Sequence, residues 1–223
     1  MAAPPGRLAN GSLLNNKWRI GQMLGEGACG VVYTVTNGTE NSIPYAIVAK
    51  VIPLGRGTGK ALKESTRTCN TLNYENTLYN GVLRSAEIDF VPRVPMRGYG
   101  DDVVHGVRYL LMERMDQDLT SFARSVPPPS ASAIASIGLQ ILSGLQKLHR
   151  RGFLFVDVKP GNFMLVGDAL RFVDFGLVES WRAFNGSGVR PMVRRKGKSE
   201  EKIRCFSFFL SFYLFILLCF EYK

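Results

Sequence analysis

The segment that most constrains the fold of this chain runs from Phe155 to Asn162 and is followed by Asp174-Phe175-Gly176. Between these two segments lie two short apolar runs, Phe163–Val166 and Leu170–Val173, which are joined at Gly167-Asp168. A Gly-Asp pair between two such runs predicts a β-hairpin. The hairpin would bring the ends of the two flanking segments side by side.

Four polar side chains in these segments match the chemical requirements of phosphoryl transfer. Asp157 is suited to take the proton of an attacking hydroxyl, and Lys159 to steady the phosphate that moves. Asn162 and Asp174 supply two oxygen ligands of the kind that hold Mg²⁺ beside a nucleotide. The sequence therefore predicts a phosphoryl-transfer loop with a metal-binding partner downstream.

A glycine-rich stretch near the N-terminus points to the same chemistry. A predicted strand, Trp18–Met23, leads into Gly25-Glu26-Gly27-Ala28-Cys29-Gly30, and the β-branched run Val31–Val35 follows. A dinucleotide-binding fold needs a helix directly after the glycines. Because a second strand follows here, we expect a hairpin that covers ATP phosphates, with glycine allowing close backbone approach.

A lysine inside an apolar strand needs a partner for its charge. Lys50 lies in the predicted strand Tyr45–Ile52, and the next segment, Lys63–Leu83, has helical spacing. Glu75 falls on the apolar face of that predicted helix and is the preferred partner of Lys50. Glu64 is the alternative, although its place in the first turn suits the helix dipole better.

The middle of the chain predicts two further strands and a long helix. The strands are Phe90–Gly98 and Val107–Met112, with a turn at Gly100–Asp102 between them. Leu111–Met115 then forms a connector whose backbone offers hydrogen bonds to adenine, with Met112 beside the pocket. Isoleucine and leucine recur at helical spacing over residues 134–148, which predicts an amphipathic helix that ends before Gly152.

Composition excludes several other classes of protein. Of 223 residues, 46% are hydrophobic and 21% charged, which is ordinary for a globular chain. Half of the net charge of +10 comes from the residues after Val189, with eight Lys/Arg against three Glu, so no nucleic-acid-binding face is predicted. The four cysteines show no metal or disulfide spacing, and the first residues are not a secretory signal. We expect an intracellular protein, cytoplasmic or nuclear.

Together these segments resemble the eukaryotic protein kinases, and most of all the casein kinase I and vaccinia-related kinase group. The closer match lies in Asp157–Met164, Glu75–Tyr79 and Met112–Leu119, and the resemblance covers about residues 18–181. It implies an α+β, two-lobe protein kinase-like fold with a β-rich small lobe and an incomplete helical large lobe. It also implies ATP and Mg²⁺ as cofactors and proteins with Ser or Thr hydroxyls as substrates.

The resemblance also assigns roles to individual residues. Catalytic roles go to Asp157, Lys159, Lys50 and Glu75, and metal ligation goes to Asn162 and Asp174. The residues assigned to nucleotide contact are Leu24, Gly25, Glu26, Gly27, Ala28, Cys29, Gly30, Val32, Val48, Lys50, Met112, Glu113, Met115 and Met164. The predicted segments are a flexible arm (1–17), a small lobe with connector (18–115), a partial large lobe (116–182), a basic linker (183–204) and an apolar tail (205–223).

The chain departs from the kinase pattern at three places. Phe155-Val156 replaces the usual His-Arg, so we expect no switching by a phosphate on the activation loop. Val48 replaces the usual alanine two residues before the strand lysine. After Gly176 the sequence shows no Ala-Pro-Glu motif and no further large-lobe helices.

The C-terminal sequence admits three interpretations. Gly197-Lys198-Ser199 followed by a Phe/Leu-rich run is what an intron encodes when it is read through, and this is the preferred one. The apolar run over residues 205–220 is short for a membrane anchor, which is the second interpretation and the only route to membrane association. The third is a helix that packs on the domain. The predicted function is a serine/threonine protein kinase that is impaired by the truncation. One alternative is a non-catalytic nucleotide-binding scaffold, which the missing part of the large lobe supports, and the other is a tail-anchored kinase.

Overall fold

The computed structural model describes residues 7–27, 30–37, 45–54, 59–84, 88–180, 182–185 and 188–191. These residues divide into two compact units. The first unit comprises the residues up to 87 together with 91–115, and the second comprises 88–90 together with the residues from 116 onward. The predicted apolar tail, residues 205–223, lies outside the described residues.

An antiparallel sheet and one helix form the first unit. Its elements are β1 (Leu13–Leu14), β2 (Trp18–Gly27), β3 (Gly30–Asn37), β4 (Ile47–Pro53), α1 (Gly59–Asn80), β5 (Tyr99–Asp102) and β6 (Val107–Glu113). The strands are hydrogen-bonded in the order β1-β2-β3-β4-β6-β5. The predicted strands around the glycine-rich stretch and Lys50 are therefore confirmed as the adjacent strands β2, β3 and β4.

The two faces of this sheet differ in what they cover. Tyr33, Ala49 and Leu111 lie opposite one another across β3, β4 and β6, and all three are buried in the main apolar core of the unit. Because successive side chains of a strand point to opposite faces, their neighbours Val32, Lys50 and Leu110 lie on the other face. The strand that carries Lys50 is thus apolar on both sides.

Residues 7–17 of the predicted flexible arm pack against this sheet. Leu8 and Leu14 are buried in the same core as Trp18 and Tyr33. The backbone N–H of Leu8 donates to the Tyr33 hydroxyl at 3.0 Å, and Arg7 forms an ion pair with Glu26. Burying each leucine is worth about 1.5–3 kcal/mol, which offsets the entropy lost when the segment is ordered.

Asp102, at the end of β5, links the two edges of the sheet. Its carboxylate accepts hydrogen bonds from the backbone N–H groups of Asn15 (2.7 Å) and His105 (2.9 Å) and lies 2.8 Å from His105 Nδ1. Burial pushes the pKa of Asp102 upward, but these hydrogen bonds outweigh it and hold that pKa below its ordinary value. The carboxylate therefore fastens the β1–β2 turn to the β5–β6 turn in its ionised form.

Replacing Asp102 by asparagine is expected to remove an acid-sensitive part of the stability. A carboxylate with a lowered folded-state pKa stabilises the fold fully above its unfolded pKa of about 3.9, and that contribution disappears as the pH falls through the folded value. At pH 7 the variant should lose about 1–3 kcal/mol of unfolding free energy. Urea unfolding should show this difference narrowing below pH 4 or so. A difference in unfolding free energy between parent and variant that stays constant from pH 7 to pH 3 would contradict a lowered pKa for Asp102.

The segment Phe90–Gly98, predicted as a strand, is irregular. Strand β5 begins at Tyr99 and takes in the Gly100–Asp102 residues predicted as a turn, and the turn itself lies at residues 103–106. Pro92 and Pro95 have no N–H to donate to a strand ladder, and Arg97 adopts a φ of 59°. A regular ladder therefore cannot start before Tyr99.

Within its described residues, the second unit consists of two α-helices, two short 3-10 helices (Pro160–Asn162 and Phe175–Leu177) and several short strands. Its elements are β7 (Gln117–Asp118), α2 (Leu119–Ala123), α3 (Ala131–Arg150), β8 (Phe153–Leu154), β9 (Phe163–Val166), β10 (Ala169–Phe172), β11 (Glu179–Ser180), β12 (Arg182–Asn185) and β13 (Gly188–Pro191). The strands pair as β10-β9-β7, β11-β8 and β12-β13. With an antiparallel sheet in one unit and a long helix in the other, the predicted α+β class is confirmed.

Helix α3 confirms the amphipathic helix predicted from the spacing of isoleucine and leucine. Ser130 caps its N-terminus by accepting a hydrogen bond from the Ala133 N–H at 3.2 Å, and Gly152 follows its end with a φ of 87°. The buried side of the helix carries Ile134, Ile137, Ile141, Gly144, Leu145 and Leu148. This face packs on an aromatic cluster of the same unit.

Gly144 is the point of closest packing on that face. A Cβ added there would lie 2.6 Å from Phe172 Cζ and 3.2 Å from Phe90 Cγ, and both rings are buried. Gly144→Val is expected to lower the free energy of unfolding by about 1–3 kcal/mol through overpacking. The exposed neighbour Ser143→Ala is the control, and its unfolding midpoint in urea should change little. Equal midpoints for the two variants would contradict this packing.

Among the described residues, none of the helices combines the length and the apolar character that a membrane span requires.

Candidate active site

The glycine-rich hairpin is built by β2 and β3. Gly27 lies opposite Gly30, Glu26 opposite Val31, and Gly25 opposite Val32. The pairing shifts register between Ile20 and Gly25, a stretch that includes Leu24, whose side chain is largely exposed. Ala28 and Cys29, predicted at the tip, lie outside the described residues. The two strands predicted on either side of the tip are confirmed.

The glycines of this hairpin differ in their surroundings. A Cβ added to Gly25 or Gly27 would meet no atom within 4 Å. Gly30 has a φ of 114°, and a Cβ there would lie 2.5 Å from the Val51 carbonyl oxygen. Glycine at position 30 is therefore required by the fold itself, whereas the backbone at positions 25 and 27 is open to an approaching group.

One face of the sheet gathers several of the residues predicted to contact nucleotide. Val32 lies opposite Lys50 across β3 and β4, and Val48 lies opposite Met112 across β4 and β6. Residues directly opposite one another in an antiparallel pair have adjacent side chains on the same face. Val48 and Lys50 are two positions apart on one strand and share that face too. In this part of the sheet, Lys50 is thus surrounded by apolar side chains.

Lys50 and Glu75 form an ion pair inside the first unit. Lys50 Nζ lies 2.8 Å from Glu75 Oε2, and the two side chains are 12% and 0% exposed. Glu75 is on α1, three residues from Leu72 and three from Leu78, both of which are buried. The helix therefore buries the carboxylate along with its apolar face. The side chain of Glu64, the alternative partner, is outside those described.

The first three residues of the connector predicted at Leu111–Met115 are the last three residues of β6. Met112, Glu113 and Met115 are all buried. The backbone N–H of Glu113 donates to the Arg93 carbonyl at 2.8 Å, and that of Arg114 donates to the Ala46 carbonyl at 2.8 Å. The connector is thus held from two sides by neighbouring segments of the first unit.

The predicted phosphoryl-transfer loop lies in the second unit and is organised around Asp157. Asp157 Oδ2 accepts hydrogen bonds from Lys159 Nζ at 2.6 Å and from Asn162 Nδ2 at 2.9 Å. Asn162 Nδ2 also donates to the Asp157 backbone carbonyl at 2.8 Å. Among the described residues no hydrogen bond reaches Asp157 Oδ1. One oxygen of the carboxylate is fixed, and the other is available to a hydroxyl donor.

The hairpin predicted between the two polar segments is confirmed. Strands β9 and β10 pair in register, with Phe163 opposite Phe172, and Gly167 takes a φ of 57° in the turn. Beyond the paired residues, the Val173 N–H donates to the Asn162 carbonyl at 2.9 Å. Asp174 is the next residue, so the hairpin brings its backbone within one residue of the hydrogen bond to Asn162.

Asp174 adopts a left-handed backbone conformation, with φ 63° and ψ 59°. Such a conformation is uncommon outside glycine and often marks a functional position when surrounding contacts enforce it. Phe175, the next residue, has a ring that is fully buried and lies 5.2 Å from the ring of Phe155. The buried phenylalanine thereby fixes the start of the segment that carries the acidic side chain.

The replacement of the usual histidine by Phe155 has a structural reason. It stands where the kinase pattern has histidine, and it is buried with its ring 5.9 Å from Phe163, 5.3 Å from Phe172 and 5.2 Å from Phe175. Aromatic pairs at such distances stabilise a core beyond their buried area. Phe155 is thus a positioning residue that sequence reasoning missed. Its apolar type next to Asp157 was the available signal.

Asn162 and Asp174 fit the coordination chemistry of magnesium. Mg²⁺ prefers oxygen ligands and usually takes one or two from protein while water and phosphate supply the rest. The Asn162 side chain is buried, its Nδ2 is engaged by Asp157, and no hydrogen bond from the described residues reaches its Oδ1. Asn162 Oδ1 is thus available as a ligand. The carboxylate of Asp174 comes from the residue after Val173, whose N–H bonds to the Asn162 backbone.

Met164 is the remaining residue predicted to contact nucleotide. It lies in β9, opposite Arg171 of β10 and Asp118 of β7, and is half-buried. The predicted set therefore falls into two groups, one in each unit. The first holds the glycine-rich hairpin, Lys50, Glu75 and the connector, and the second holds the residues from Asp157 to Asp174 with Met164.

Comparison with known proteins gives a consistent result. A family model described as "Protein kinase domain" matches residues 18–187. A probable serine/threonine-protein kinase of fowlpox virus is 26% identical over 205 residues, which are 86% of this chain and 63% of that protein. The B1 kinase of vaccinia virus (strain Western Reserve) is 26% identical over 203 residues, 83% of this chain and 59% of that kinase. The chain thus spans about three fifths of the length of these relatives.

Proposed function

Because the chain belongs to the protein kinase domain family, we propose that it transfers the γ-phosphoryl group of Mg-ATP to a serine or threonine hydroxyl of a protein. The observation that carries this proposal is the Asp157 carboxylate, with one oxygen held by Lys159 and Asn162 and the other open to a donor. The similarity to serine/threonine kinases supports the choice of hydroxyl. An intracellular location, where ATP is available, is part of the proposal.

The residues of the first unit would bind the nucleotide. Lys50, oriented by buried Glu75, places a cation for the phosphates, and the open backbone at Gly25 and Gly27 allows close approach. The apolar face that includes Val48 and Met112 would pack on adenine, whose edge pairs with the connector backbone. Magnesium, when bound, would neutralise phosphate charge from Asn162 and Asp174.

The residues of the second unit would carry the transfer. Asp157 Oδ1 accepts the hydroxyl hydrogen while the hydroxyl oxygen attacks the γ-phosphorus. The bond from that phosphorus to the bridging oxygen of ADP breaks, and the proton passes to Asp157. Lys159, 2.6 Å from the same carboxylate, offsets the negative charge that spreads over the moving phosphoryl group.

Transfer of radioactive phosphate from labelled Mg-ATP tests the proposal. We expect label on serine or threonine of a generic protein substrate, with none when magnesium is chelated. A shift in melting temperature with Mg-ATP but no transfer to any protein would instead favour the second candidate, a nucleotide-binding scaffold. The absence of both nucleotide binding and transfer would overturn the kinase proposal and the scaffold together.

A further inference from the structure

The connector of the first unit carries an ion pair that no step above uses. Glu113, its central residue, has a carboxylate that is only 1% exposed. Arg93 Nε donates to Glu113 Oε2 at 2.6 Å, and the Arg93 backbone N–H donates to Oε1 at 3.2 Å. A buried carboxylate is tolerated only when its charge is matched and its oxygens are hydrogen-bonded. Arg93 provides both from a segment twenty residues away in the chain.

The same arginine joins a third segment to the connector. Its guanidinium carbon lies 4.3 Å from the centre of the Tyr45 ring, a cation–π geometry. Burial raises the pKa of Tyr45, with the charge of Arg93 opposing and that of Glu113 adding to the rise. Tyr45 directly precedes Ala46, whose carbonyl accepts from the Arg114 N–H. Side chains and backbone therefore tie the same three segments together.

The arrangement has a mechanical consequence for the connector backbone. The Glu113 N–H donates to the Arg93 carbonyl, and the Glu113 carboxylate accepts from the Arg93 backbone N–H and from Arg93 Nε, so three hydrogen bonds join the two residues. Arg114 is fixed from the β4 side. Very little freedom remains at the residues whose backbone would face adenine.

We propose that Arg93, stacked on Tyr45 and paired with Glu113, is a positioning residue that sets the connector backbone for adenine recognition. This inference rests on the proposed function, because it deepens the role of the connector as an adenine site. It separates the base-binding part of the site from the phosphate-binding part. Arg93 acts on the first, whereas Lys50 acts on the second.

Equilibrium binding of adenosine and of Mg-ATP tests the proposal, because adenosine lacks phosphates. Arg93→Ala should weaken both ligands by the same factor, about tenfold to a hundredfold, as expected for a displaced binding group. Lys50→Met should weaken Mg-ATP binding by a larger factor than adenosine binding, because the cation is placed at the phosphates. Arg93→Lys keeps the charge but lacks the planar guanidinium that donates to Glu113 and lies over Tyr45, and it should recover part of the loss.

The chain offers a matched control for Arg93. Arg108, at the other end of β6, makes a similar pair with Asp101 at 2.6 and 2.9 Å and lies 5.8 Å from the Tyr99 ring. Arg108→Ala removes an ion pair and a ring contact of the same kind away from the connector. Its affinities for adenosine and Mg-ATP should equal those of the parent.

A second variant guards against loss of folding in Arg93→Ala. Arg93→Met/Glu113→Gln leaves no unpaired buried charge, and its fold is checked by circular dichroism before binding is measured. Adenosine binding should still be weakened at least about tenfold, since the Arg93 Nε bond to the connector and the contact of its guanidinium with Tyr45 are both gone. Parent-like adenosine binding by this folded double variant overturns the inference and leaves the kinase proposal standing. A parent that binds neither ligand overturns both.

Discussion

Replacing Lys50 by methionine is expected to abolish phosphoryl transfer and to lower the free energy of unfolding by about 3–5 kcal/mol. The stability loss follows from Glu75, which is 0% exposed and loses the ammonium group 2.8 Å away. The loss of transfer has a different cause, because the variant lacks the cation that orients the phosphates. Urea unfolding and a phosphate-transfer assay measure the two effects separately.

The double variant Lys50→Met/Glu75→Gln separates the two causes. It removes the buried charge along with its partner, so more than half of the lost unfolding free energy should return. Transfer should remain absent, since the cation is still missing. Recovery of transfer together with stability would show that Lys50 acts only through the fold.

The second large effect is expected for Asp157→Asn, which should reduce transfer by about 10²–10⁴-fold. An asparagine keeps the size of the side chain and an oxygen for Lys159 and Asn162, but it cannot take a proton from the hydroxyl. The affinity for Mg-ATP should stay within about twofold of the parent, because the proposed role lies in the chemical step.

Asp168→Asn is the control for this variant, because Asp168 is an exposed carboxylate in the β9–β10 turn of the same unit. Its transfer rate should equal that of the parent. If Asp157→Asn and Asp168→Asn transferred phosphate equally fast, the assignment of the proton acceptor would be wrong.

The elements that could be predicted from the sequence are those marked by a pattern of neighbouring residues. The β9–β10 hairpin follows from two apolar runs around Gly167-Asp168, and α3 follows from its apolar spacing and its Ser130 cap. The pairing of Lys50 with Glu75 is a contact across different elements, but a charge inside an apolar strand demands such a partner. The helical spacing of the next segment left Glu75, on the apolar face, and Glu64, in the first turn, as the two candidate partners of Lys50.

The parts that the sequence did not predict depend on contacts between distant segments. Asn15 and Asp102 are far apart in the chain and meet only because β1 and β5 are the two edges of one curved sheet. Arg93 follows a proline in an irregular segment and carries no periodic signal for its bond to Glu113. The strand predicted over Phe90–Gly98 was wrong because apolar content was weighed above the missing proline N–H groups.

Magnesium-dependent nucleotide binding is the property on which the proposed kinase function most directly depends, and calorimetric titration of ATP into the protein measures it. The titration is made once with excess Mg²⁺ and once with a chelator, for the parent and for Asp174→Asn. The parent should bind one ATP with Mg²⁺ and bind at least about tenfold more weakly without it, a difference of about 1.4 kcal/mol, and Asp174→Asn should lose this dependence. Equal affinities of the parent with and without Mg²⁺, or no binding in either titration, would contradict the account.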